Sequence, residues 1–291
     1  CIADANGVCS SQQIAHKSVS EANGRKIFEL NQNINISINA TASAPMIFQL
    51  FADGQPKRRV AIYFESISNS AWKMVIIASD QANKNEWINA FDNARKALSK
   101  FFQERNVADA DIQEMSLHPD KQGGKVKETT VQNIKSAIET MQPGPNGSCL
   151  VHMTSHGSSG SGFNVGSQRL KPSTLNDALN VGCGDRPTVV LVSACFSGIY
   201  LLDEHQLKKP NRIILSAARH DKTSFGCEAS AVYTFWDTCL VEILPKVDTF
   251  GQLANEIDTC IEKMERQMGP DRSYPQKFIG EAGKELKIPG K

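Results

Sequence analysis

No apolar run in this 291-residue chain approaches the about 20 residues a membrane-spanning helix needs. Charge of one sign is missing too. Lys and Arg number 32 against 31 Asp and Glu, a formal net charge of +1. No single-sign field therefore points to nucleic acid or to an anionic membrane surface. No internal repeat occurs at solenoid periods. The eight cysteines contain no C-x-x-C pair, and Cys149, Cys183, Cys227, Cys239 and Cys260 are too scattered to suggest zinc. What remains is 40% hydrophobic and 22% charged, the composition of a soluble globular protein. The length allows one large domain or two ordinary ones.

Residues 1–45 are polar and rich in Asn, Ser and Ala, which predicts an extended arm or tether that orders by docking onto a partner. "NQNINISINATASA" alternates Ile with polar residues as a strand does, but without aromatic bulk. Residues 46–70 read as a small hairpin unit, "MIFQLFADG" and "RRVAIYFESI" joined by Asp-Gly-Gln-Pro. The main domain is expected over residues 71–291. The chain opens on Cys1, followed by small and polar residues, which resembles a processed bacterial lipoprotein. On that reading Cys1 is the lipid attachment point and the only link to a membrane. The protein is then exported to the periplasmic side, as an outer-membrane lipoprotein; an arbitrary cut is the alternative. Export also suits eight cysteines, some of them paired in an oxidising compartment.

From Trp72 the pattern changes. "WKMVIIAS", "SCLVHMTS", "TVVLVSAC" and "RIILSAA" are unbroken apolar strands, with a short one near "IQEMSL". Between them lie helical spacings: "NEWINAFDNARKALSKFFQERN", "TTVQNIKSAIETM" and a helix over 174–181 capped by Ser173 behind Pro172. The helices "VYTFWDTCLVEIL" and "FGQLANEIDTCIEKMERQM" close the chain. Unbroken apolar strands alternating with helices predict a mostly parallel sheet covered on both faces.

Chemistry in such sheets gathers at the carboxyl ends of the strands. Two ends are chemically loaded. "CLVHMTSHGSSGSG" carries His156 at its edge, followed by Gly157; "LVSACFSG" ends in Cys195 and turns at Ser197 and Gly198. A thiol is a weak nucleophile until it loses its proton, which an imidazole can take and later hand to a leaving amine. The N–H groups of Gly157 and Cys195 are candidates for an oxyanion hole, glycine leaving the backbone bare. His152, mid-strand, is expected to face the core or a covering helix.

A hydrophobic strand ending in His-Gly, then one ending in Ala-Cys, resembles the caspase-like cysteine peptidases of clan CD. Within it "SACFSG" and "IILSAARHDKTSFGC" look most like the legumain branch, the asparaginyl endopeptidases and their bacterial relatives. The resemblance covers about Trp72 to Met268. It implies a three-layer α/β/α sandwich with a mostly parallel central sheet, Cys195 as nucleophile, His156 as general acid/base, a protein or peptide substrate, no cofactor and no metal. In legumains the residue two before the nucleophile is a glutamate lining the asparagine pocket; here it is Ser193. Ser224 matches a pocket-wall serine, and Asn83 or Asn85 the asparagine that orients the histidine. Ser193 is expected to open volume beside the nucleophile and to weaken cleavage after asparagine, unless Asp221, Glu228 or Asp237 enters the pocket. The expectation is an exported cysteine endopeptidase. The alternatives are a caspase-like structural subunit of a cell-envelope assembly, with residues 1–45 docked on a partner, and transpeptidation through the same acyl-enzyme.

Overall fold

The computed structural model describes residues 72–81 and 88–290 except 124, 229, 268 and 270, together with the backbone of four strands nearer the N-terminus. The chain divides into two units, Cys1–Ile67 and Ser68–Lys291. In the first, β1 (His16–Ala22) pairs antiparallel with β2 (Arg25–Leu30), and β3 (Met46–Ala52) with β4 (Gln55–Ile62). The first pair lies inside the segment expected to be extended. Cys1 and the "NQNINISINATASA" segment lie outside the described residues.

The second unit is built on β5 (Trp72–Ala78), β6 (Ile112–Ser116), β7 (Lys127–Glu128), β8 (Ser148–Thr154), β12 (Thr188–Ser193), β13 (Arg212–Ser216) and β14 (Gln276–Ile279). They form one sheet in the order β14-β13-β12-β8-β5-β6-β7. Every pairing is parallel except β13 with β14. Between β8 and β12 the chain makes a small antiparallel sheet, β9 (Gly157–Ser158), β10 (Gly162–Val165) and β11 (Gln168–Leu170). The chain does not close on helices as expected: β14 follows α5 and closes the sheet edge.

The unbroken apolar strands are explained by two layers. Val75, Ile77, Val151, Met153, Val190 and Val192 pack under α2 (Val131–Glu139) and α3 (Pro172–Gly182). Met74, Ile76, Leu150, Val189, Leu191 and Leu215 pack under α1 (Asn89–Gln103), α4 (Phe235–Ile243) and α5 (Phe250–Arg266). Alternate residues of one strand therefore serve opposite layers, and both must be apolar. Thr130 caps α2 by accepting from the Asn133 N–H. In α3 the cap position is Lys171, not Ser173, and makes no side-chain cap bond. Pro172, with its preset φ and missing N–H, already begins that helix, so Ser173 falls inside the first turn.

Two disulfides staple these layers: Cys149–Cys183 joins the start of β8 to the end of α3, and Cys239–Cys260 joins α4 to α5. Cys149–Cys183 closes a loop of 34 residues. Replacing both cysteines by serine is expected to lower stability by about 3–4 kcal/mol, read as a lower urea midpoint at unchanged slope. An unchanged midpoint would show that the bond adds nothing to the native state.

Candidate active site

Three adjacent parallel strands bring the site together. Ser193 at the end of β12 pairs with Thr154 at the end of β8, which pairs with Ala78 at the end of β5. Two residues beyond each stand Cys195, His156 and Asp80. The ladder continues into this rim, because the Ser155 N–H donates to the Ser193 carbonyl at 3.1 Å and the Ser79 N–H to the Thr154 carbonyl at 3.0 Å. A thiol, an imidazole and a carboxylate thus share one sheet edge.

The turn after Cys195 explains "FSG". Phe196 takes the left-handed conformation, φ 57°, reversing the chain at once. Ser197 is buried and its hydroxyl accepts the Ala218 N–H at 3.2 Å. A Cβ on Gly198 would sit 2.6 Å from the His220 nitrogen, so only glycine lets the loop after β13 pass so close. That loop reaches the thiol. The Ser224 N–H donates to Cys195 Sγ at 3.3 Å, and Sγ lies 3.7 Å from the Ser224 carbonyl, which accepts from the S–H. Ser224 therefore meets the nucleophile through its backbone. Cys195 is half-buried and makes no disulfide among the described residues.

Gly157 is decided by contact. Its Cβ would fall 1.8 Å from the Cys195 carbonyl oxygen, so the His-Gly and Ala-Cys segments touch backbone to backbone. Tyr200, buried among them, donates to the Leu170 carbonyl and accepts the Phe163 N–H, pinning the small sheet that follows His156. Burial raises its phenol well above the usual tyrosine range.

His156 Nε2 lies 3.5 Å from Asp80 Oδ1, and its ring meets Phe91 of α1 edge-on, centroids 5.4 Å apart. Asp80 is itself held: Oδ1 accepts the Gln81 N–H at 2.7 Å and Oδ2 the Ile88 N–H at 3.2 Å. Asp80 was missed from sequence, although the signal was present. "WKMVIIASD" puts it two residues past a buried strand, as His156 and Cys195 are past theirs. Asn83 and Asn85, expected in this role, lie outside the described residues.

Ser193 does not open volume beside the nucleophile. It is 1% exposed, and its hydroxyl donates to Asp237 Oδ2 at 2.9 Å and lies 3.0 Å from Thr234 Oγ1. The threonine and the carboxylate fill the space a longer strand residue would take. Of the three acids considered, Asp237 alone is bonded to Ser193. Asp221 pairs with Arg219, which lowers its pKa, and Glu228 is exposed. His152 faces α4, as expected, with Nε2 3.1 Å from Asp237 Oδ1.

Residues 103–282 match the model of the Peptidase C13 family. Among solved structures the fold matches "Crystal Structure of Caspase-1 from Spodoptera frugiperda", at TM-score 0.50 and 13% identity, over 72% of this chain and 87% of that one. Identity that low speaks for the fold alone, a caspase-like α/β/α sandwich. No curated protein matches the chain.

Proposed function

Since the chain belongs to the Peptidase C13 family, the legumain family of clan CD cysteine peptidases, we propose that it is an endopeptidase working through Cys195, His156 and Asp80. The observation that carries this is the common register of the three residues, each two places past the end of one of three neighbouring strands. Cys195 Sγ attacks the scissile carbonyl and forms a thioester as the C–N bond breaks. The thiol proton passes through His156 to the leaving amine. His156 then takes a proton from water, which attacks the thioester, releases the acid and restores the thiol. Asp80 keeps the imidazole turned to this task. The N–H groups of Gly157 and Cys195 are the proposed oxyanion donors, brought close by the contact between those two residues. For attack, Sγ must leave the Ser224 carbonyl that it faces in the resting arrangement.

Selection of asparagine needs polar groups that reach the carboxamide and go unpaired with other side chains. Ser193, buried and bonded to Asp237, is engaged elsewhere. The proposed preference at the residue before the cut is therefore broader than asparagine alone. Two disulfides support work in an oxidising compartment, hence an exported protein. A peptide library differing only at the residue before the cut tests both points. Cleavage is expected at several residues, asparagine leading by less than about tenfold, the scale set by one net hydrogen bond. No cleavage of any peptide by protein with a titratable Cys195 thiol would refute the peptidase. A preference of a thousandfold for asparagine would refute the account of the pocket.

A further inference from the structure

Directly beneath the strand ends lies a polar cluster that the proposed reaction does not use. Asp237, in the first turn of α4, is fully buried. Its Oδ1 faces His152 Nε2 at 3.1 Å. Its Oδ2 accepts Thr154 Oγ1 at 2.6 Å, Ser193 Oγ at 2.9 Å and Thr234 Oγ1 at 3.0 Å. His152 Nδ1 has no partner among the described residues, so Nε2 is the nitrogen that carries the proton and donates. Three of these donors converge on Oδ2 and one faces Oδ1, so the carboxylate is the common acceptor of the cluster.

The identities of the donors matter more than their number. Thr154 and Ser193 are register partners, the last paired residues of β8 and β12. His156 and Cys195 follow each by two. Thr234, the cap of α4, accepts the Asp237 N–H at 3.0 Å. The same turn fastens the loop that holds the sulfur. The Phe235 N–H donates to the Phe225 carbonyl at 3.1 Å, and a Cβ on Gly226 would lie 2.8 Å from the Phe235 nitrogen. One carboxylate therefore ties together the nucleophile strand, the histidine strand and the root of the Ser224 loop.

Stability alone does not call for such a cluster. Apolar residues of similar volume pack as well as a buried charged network or better, because its desolvation is not fully repaid. All other strand residues on this face named above are apolar, and Leu150 and Leu191 precede the polar positions by simple alternation. What a shared buried carboxylate adds is direction, since it draws the hydroxyls of both strand ends and of the α4 cap to one point.

We infer that Asp237 is a positioning residue of the active site, setting the relation between Cys195, His156 and the loop that releases the thiol. The inference rests on the peptidase reading above. Asp237 acts only through the strand ends and the loop, and touches no substrate.

The test uses the full chain. Asp237→Asn keeps the shape but turns one acceptor into a donor facing donors. Its kcat is expected to fall about 10- to 100-fold with KM within about threefold, the pattern of displaced reacting groups. The alkylation rate of Cys195 by iodoacetamide, followed by peptide mass, should change at least fivefold in the same variant. Moving the carboxylate across the 2.9 Å contact supplies the rescue: Asp237→Ser with Ser193→Asp should recover about tenfold in kcat over Asp237→Ser. A folded Asp237→Asn with kcat and alkylation within twofold of wild type overturns the inference, as does a double variant no better than Asp237→Ser. If Asp237→Asn does not fold, Ser193→Ala replaces it. A fall in kcat of threefold or more supports the role there, and no change refutes it. Should the wild-type protein cleave no peptide, the peptidase reading fails separately. The alkylation rates then decide Asp237 alone: a fivefold change supports it, an unchanged rate overturns it.

Discussion

Cys195→Ala is expected to remove peptide-bond cleavage, lowering kcat by about a thousandfold or more, because the acyl-enzyme has no other atom to form on. The fold should survive. Cys195 is half-buried, and among the described residues it belongs to no disulfide and its sulfur bonds the backbone of Ser224. The unfolding midpoint of the variant is therefore expected close to wild type, which separates loss of chemistry from loss of structure. The neighbouring positions should grade below it. His156→Ala removes the proton carrier and is expected to cost about 10²- to 10⁴-fold. Asp80→Asn should cost less, about tenfold, because the amide oxygen can still accept from the imidazole and from the Gln81 N–H, and the amide nitrogen loses the Ile88 N–H alone. Asp80→Ala, with nothing to accept, should fall between the two. Steady-state kinetics on one peptide checks the order. Cleavage surviving Cys195→Ala, or Asp80→Ala indistinguishable from wild type, would break the proposed assignment.

Gly157→Ala carries the second large effect, and here the fold itself is at stake. The added methyl would meet the Cys195 carbonyl oxygen at 1.8 Å, its carbon at 2.7 Å and its nitrogen at 3.1 Å. These are backbone atoms, and no rotamer change moves them aside. The ends of β8 and β12 would have to part, although the Ser155 N–H bond to Ser193 holds them together two residues earlier. Overpacking against a fixed backbone is expected to cost about 3 kcal/mol or more. Parting by an ångström between base and nucleophile should lower kcat/KM of the folded fraction by about 10². Gly160→Ala is the control from the same loop. It has open space around its missing Cβ but φ +69°, so only backbone strain applies, about 1–2 kcal/mol, with activity kept. Urea unfolding and kcat/KM on both variants decide. Equal stability losses would show that the contact with Cys195 has no special weight.

Much of the architecture follows from the order of residues alone. Buried strands read as continuous apolar runs because two helical layers cover the sheet. Helices announced themselves by one apolar face, and a mostly parallel sheet followed from apolar strands alternating with helices. Cys195 and His156 were visible because each interrupts an apolar run at its end, followed by small residues. His152 was expected to face the core or a covering helix, and it faces α4.

Tertiary structure decided what depends on which elements become neighbours. Asp80 gains its role from β5 lying beside β8, a strand order no local period encodes. The cysteine partners likewise waited on where α3 meets β8 and α5 meets α4. Ser193 looked like a pocket residue from its offset to Cys195, but α4 sets Asp237 against it from 44 positions further along the chain. His152 finds the same carboxylate 85 positions away. Hydrophobic periodicity reports which face of a strand or helix is buried. It is silent on which polar group will meet another when two buried faces close, because that contact belongs to the packed layers and not to any one segment.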